Sequence, residues 1–158
     1  VVGVKEASFN QSISIETHQL IGRHSIISTP DEWIFLKAQE LGFHQQVMFA
    51  NTSDWRFDKP GQNYYVQFID KATNGQLDLD FYETHLKKVK DISDQWWGTI
   101  VKRFGEALPV PLCKYWGELM GMAGGHVRLP LKNLTPEDKS ELRSQLMPIL
   151  GELSGVRG

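Results

Sequence analysis

Val1-Val2-Gly3-Val4-Lys5 is a short apolar run that ends in an amine. Strand side chains alternate between faces, so the β-branched Val2 and Val4 share one face and Gly3 and Lys5 the other. As a barrel strand, this run would pack its valines against outer helices and point Lys5 inward at the strand's C-terminal end. That end is where barrel enzymes carry their chemistry. An amine held there among apolar neighbours loses hydration and deprotonates more readily, as attack on a carbonyl requires. A solvated lysine at a strand end is the plainer alternative. The rest of the chain decides between them.

With 158 residues, 41% of them hydrophobic and 11% aromatic, the chain suits one ordinary globular domain and not a disordered one. A net charge of −2 creates no field that would gather nucleic acid or anionic lipid, so neither is an expected partner. No apolar stretch is long enough to cross a bilayer, and no signal peptide with a cleavage site is visible. Cys113 is the single cysteine, which rules out an internal disulfide and predicts a cytoplasmic home. His18, His24, His44, His85 and His126 lack ligand spacing, so no metal and no cofactor is expected. Val1 opens the chain inside what reads as a strand, and residues preceding it are expected in the natural protein.

The spacing predicts a strand over Val1 to Glu6 and a helix from about Ser12 to Ile21, with Ile15, Leu20 and Ile21 as its apolar positions. A second strand covers His24 to Ser28. Thr29-Pro30 then starts a helix, with Thr29 as its cap, which Trp33, Leu36 and Leu41 line and Gly42 ends. His44 to Asn51 reads as a third strand. Strand, helix, strand, helix, strand in about fifty residues is the rhythm of a parallel α/β fold. Beyond Pro60 the pattern is helical: Gln62 to Thr73, Leu79 to Arg103, Leu112 to Met122, and a last helix capped by Thr135 with the stripe Leu142, Leu146, Ile149, Leu150 and Leu153.

Laid out in this order, the chain resembles the C-terminal half of the dihydrodipicolinate synthase / N-acetylneuraminate lyase family. Val1 to Ser8 is similar to that family's sixth barrel strand, whose lysine forms a Schiff base. Pro109-Val110-Pro111-Leu112-Cys113-Lys114 is similar to its Pro-x-Pro-x-Lys helix start, and Gly124 to Leu131 to its Gly-x-Val-Arg-x-Pro segment. Asn51 falls where an Asn commonly follows the eighth strand. The chain departs from the pattern at Ser28-Thr29-Pro30-Asp31, where the family has Ser-Gly-Asp-Asp, and at the polar start of the third strand, His44-Gln45-Gln46. The resemblance implies that the family's carboxylate-binding Gly-Thr-Thr-Gly-Glu motif and its proton-shuttling strand-five tyrosine lie before Val1.

The resemblance implies an α/β fold: the C-terminal part of a (β/α)8 barrel, strands six to eight, over residues 1–105, and a C-terminal helical extension over residues 106–158. It implies a lyase, an aldolase or a dehydratase, acting on a pyruvate-like 2-oxo acid through Lys5. Thr29, Gln46 and Asn51 would bind substrate, and the protein would be a homo-oligomer, a dimer or a tetramer. Glu6 follows Lys5 directly and faces the other way. Arg56 is read as a solvated loop charge before a carboxylate ligand, Arg128 as an anchor for the last helix, and Trp96-Trp97 as packing. Three strands cannot close a barrel, which takes about eight. The competing reading is a non-catalytic α/β binding or assembly module that keeps the lysine as a vestige.

Overall fold

The computed structural model describes residues 2–8, 10–29, 32–43, 47–48 and 54–155. Three strands, β1 (Gly3–Lys5), β2 (Ile26–Thr29) and β3 (Val47–Met48), alternate with helices α1 (Gln11–Ile21) and α2 (Trp33–Leu41). Helices follow: α3 (Asp54–Phe57), α4 (Tyr64–Thr73), α5 (Leu79–His85), α6 (Lys87–Arg103), α7 (Val110–Leu119) and α8 (Pro136–Gly155). The strands form one parallel sheet in the order β1-β2-β3. The protein is thus α/β, mostly helical with a small parallel sheet. The chain divides into two compact units, Val1–Asp54 with Tyr64–Tyr82, and Trp55–Asn63 with Glu83–Gly158.

In the first unit, Ile34, Phe35 and Ala72 form a buried cluster on which Trp33, Phe43, Ile69 and Leu77 pack. Helix α1 starts on an Asn10 cap whose Oδ1 accepts from the Ser12 and Ile13 amides at 3.0 and 3.3 Å. Its buried positions are Ser14 and His18, four apart on one face, while Leu20 is 70% exposed. The apolar face expected for this helix is therefore not the one it buries. Thr29 closes β2 and does not cap α2; the helix begins three residues later behind Glu32, without a side-chain cap. Gly42 ends α2 as read, at a φ of 71° that a residue with a Cβ adopts at a cost.

In the second unit, α6, α7 and α8 pack through Trp96 and Ile100, Leu112 and Trp116, and Leu142, Leu146 and Leu150, all buried. The long helix expected from Leu79 to Arg103 is interrupted at Leu86, whose φ of −116° is stretched although its backbone stays in the right-handed region. The Leu86 side chain is fully buried, so packing outweighs helix continuation there. Thr135 and Asp138 cap α8 reciprocally: the Asp138 amide donates to Thr135 Oγ1 at 3.1 Å, and the Thr135 amide to Asp138 Oδ2 at 3.0 Å. Arg103 of α6 donates to the same carboxylate at 2.6 Å. Arg103 thus holds the last helix where Arg128 was expected to, and Arg128 is exposed.

The connector after α7 lies tight against that helix. Glu118 accepts from the Gly125 amide, and Lys114 Nζ donates to the His126 carbonyl at 2.8 Å. A Cβ on Gly124 would meet the Lys114 carbonyl at 2.5 Å. Because that atom is helix backbone, it cannot yield as a side chain does. Gly124→Ala is expected to cost about 1–3 kcal/mol through forced overpacking. Urea midpoints check this, and an unchanged midpoint would contradict the close approach.

Candidate active site

The register places Lys5 beside Ser28, and Ser28 beside Val47, on neighbouring parallel strands. Residues paired in a parallel ladder share a face, and alternation sends their neighbours to the opposite one. Gly3, Lys5, Ile26 and Ser28 therefore form one face of the sheet, and Val4, Glu6, Ile27 and Thr29 the other. Burial follows this division. Ile27, Thr29 and Glu6 are buried, whereas Lys5 is exposed and Ile26 is 42% exposed. The half-buried Val4 sits on the covered face, as the opening stretch predicts, but Val2 is 82% exposed. Lys5 stands exposed at the C-terminal end of β1.

Thr29, one of the expected substrate ligands, is 2% exposed and one residue past the step that faces Lys5. The residue that shares the lysine's face is Ser28. Its Oγ is buried and has no hydrogen-bond partner among the described residues. Counting outward from Lys5 in steps of two, once the strand register is known, leads to Ser28. The register itself is not written in either strand. Gln46 and Asn51, the other expected ligands, lie outside the described residues.

Glu6 turns away from Lys5, as alternation requires, and organises the β1–α1 turn. Its carboxylate accepts from the Ser8 amide at 2.7 Å and from the Ser14 hydroxyl, while His18 Nδ1 lies 2.8 Å from the Ser14 carbonyl. Burial alone would raise the Glu6 pKa. The hydrogen bonds from Ser14 and Ser8, with the nearby His18, outweigh burial and hold it below the usual range. Asp138 behaves likewise: burial opposes ionisation, and Arg103 and Thr135 prevail.

A carboxyl whose folded pKa lies under its unfolded one adds stability above the unfolded value. That stability is lost as pH falls through the folded value. Stability is expected to decline below about pH 4 as these two groups protonate. Glu6→Gln and Asp138→Asn should each flatten the acid limb of a plot of urea midpoint against pH. An equally steep limb in the double variant would contradict this assignment.

Arg56, in the second unit, is neither a loop charge nor a site residue within reach of solvent. It is 5% exposed, with its Nη1 donating to Ser93 Oγ at 3.0 Å and its guanidinium 5.0 Å from the Phe57 ring. Asp94 lies 3.8 Å away and accepts from Lys90 at 2.6 and 2.8 Å. The Trp116 indole donates to the Arg56 carbonyl at 3.0 Å. Burial pushes the Cys113 thiol up to about 11 despite the Arg56 charge, which makes it a poor nucleophile at neutral pH. Trp96 packs in the core and donates to Gln145 at 2.8 Å. A groove of about 340 Å³ lies between α2 and the end of α4, lined by Phe35, Phe43 and Leu77 among others, with no strand residue in its wall.

In fold, the small parallel sheet and its helices match part of a TIM-barrel lyase. One structure it is similar to is the N-acetylneuraminate lyase of Proteus mirabilis, with a TM-score of 0.56 and 19% identity over 94% of this chain. The match takes up 44% of that lyase, so this chain spans less than half its length. At this identity the likeness is one of fold. No family model matches the sequence, and neither does any curated protein. Among the described residues, no helix is long and apolar enough to cross a membrane.

Proposed function

We propose that this chain supplies strands six to eight and the helical extension of a (β/α)8 lyase that joins Lys5 to a pyruvate-like 2-oxo acid as an imine. The observation that carries the reading is the position of Lys5. It ends the first of three parallel strands on the face opposite the buried Glu6, Ile27 and Thr29, in a fold similar to part of a lyase barrel. Parallel sheets are stable when both faces are covered. Further strands closing the barrel would cover the open face and desolvate the amine.

The neutral Lys5 amine then attacks the ketone carbon. The carbonyl oxygen leaves as water, and the C=N bond forms. The protonated imine draws electrons from C3, so either a C3–C4 bond breaks or a C3 proton leaves ahead of a hydroxyl. The first course makes an aldolase and the second a dehydratase. The general acid/base comes from outside the described residues, since Glu6 faces away and is committed to Ser8 and Ser14. The assembled enzyme is a homo-oligomer, in keeping with the family the sequence resembles.

Borohydride should inactivate the native protein only when pyruvate is present, because only the imine is reduced. Inactivation that does not depend on pyruvate would refute the reading. The exposure of Lys5 favours a second reading, a non-catalytic α/β module with a vestigial lysine. That module would melt cooperatively as a compact monomer and resist pyruvate-dependent reduction.

A further inference from the structure

We infer that Glu6 is a positioning residue for Lys5: tied to Ser8 and Ser14, it fixes where the chain leaves β1, and so where the amine meets the ketone. The inference rests on the imine reading and adds a residue to it. Lys5 is the last residue of a three-residue strand, and such an end frays unless something holds it. The Lys5–Glu6 peptide is held on two sides. Its N–H, that of Glu6, donates to the Ser28 carbonyl of β2 at 3.0 Å. The Glu6 side chain ties the same residue to α1. Its Oε1 accepts from the Ser8 amide at 2.7 Å, and its Oε2 accepts from the Ser14 hydroxyl.

Glu6 is 7% exposed and Ser14 3%, so the carboxylate and the hydroxyl have both left water. Apolar side chains of similar shape would fill the same space at little cost to stability. What they lack is direction. An apolar contact tolerates sliding, whereas a carboxylate between two fixed donors is held in one place. One donor belongs to the β1–α1 turn and the other to a helix anchored on its Asn10 cap. Alternation turns Glu6 away from the lysine's face, so it acts through the backbone that it shares with Lys5. It forms and breaks no bond with the 2-oxo acid. Placement matters because attack needs the amine within about 3–3.5 Å of the ketone carbon, and a shift of about 1 Å costs on the order of a hundredfold in rate.

The test follows the rate of borohydride trapping in the complete native protein against pyruvate concentration, with borohydride in excess so that imine formation limits. Glu6→Ala should lower the maximal rate about tenfold or more, with the half-saturating pyruvate concentration unchanged, because Glu6 touches no substrate. Ser14→Ala is the milder variant, since the carboxylate keeps its Ser8 partner, and should slow trapping in the same way. Glu6→Gln should restore a rate close to wild type. Its amide oxygen accepts from Ser8 and its nitrogen donates to the Ser14 hydroxyl, so the tie survives without the charge. Trp116→Phe, which lowers stability in the other unit, should leave the rate unchanged. Wild-type rates in Glu6→Ala or Ser14→Ala, a Glu6→Gln rate as low as that of Glu6→Ala, or equal slowing in Trp116→Phe would each overturn the positioning role and leave the lysine chemistry standing. A change confined to the half-saturating concentration would overturn it too. No trapping in folded wild-type protein would overturn both.

Discussion

Lys5→Ala is expected to reduce turnover of a 2-oxo acid by the native protein at least about a thousandfold, because removing a covalent nucleophile removes the route and not one of its aids. Lys5→Arg distinguishes this from a loss of charge. Arginine keeps the positive charge at the end of β1 but does not deprotonate in the accessible pH range, so it cannot attack a ketone. Both variants should be equally inactive, and both should fold, since Lys5 is exposed and packs no core. An arginine variant that retains activity would reduce Lys5 to an electrostatic role. An alanine variant that retains it would end the catalytic account.

The second large effect lies in the other unit. Trp116 is fully buried on α7, and its indole N–H satisfies the Arg56 carbonyl at 3.0 Å. Trp116→Ala removes a whole indole from the core of that unit, and is expected to cost about 3–5 kcal/mol. It also strips the Arg56 carbonyl of its donor beside a guanidinium that is itself buried against Ser93 and Asp94. Trp116→Phe keeps most of the volume and loses only the N–H, so its cost should be about 1–2 kcal/mol. Denaturant titrations of the two variants measure the difference. Equal costs would mean that the hydrogen bond dominates and the packing does not.

What could be read before the structure was what is decided locally. Thr135-Pro136 starts α8 and Gly42 ends α2 because a cap acts within about four residues of its helix end. Leu142, Leu146 and Leu150 face the core because their spacing alone puts them on one stripe. What could not be read was set by partners distant in sequence. Helix α1 buries Ser14 and His18 in place of an apolar face because Glu6 waits beneath them. Arg103 displaces Arg128 as the anchor of α8 because Asp138, 35 residues away, folds back to it. Arg56 looks like a loop charge until Ser93 and Asp94 arrive from α6.

The candidate site divides along the same line. The place of Lys5 at the end of a strand was legible from one segment, and its pairing with Ser28 was not, because a register is a property of two strands together. Thr29 was chosen from its place after a strand, and a shift of one residue puts it on the covered face.

Peptide mapping by mass spectrometry of the complete native polypeptide, after pyruvate and borohydride, tests the central claim most directly. The account predicts a single reduced pyruvyl adduct on the peptide that contains Lys5. An unmodified Lys5 in folded protein, or an adduct spread over exposed lysines such as Lys37 and Lys88, would contradict it.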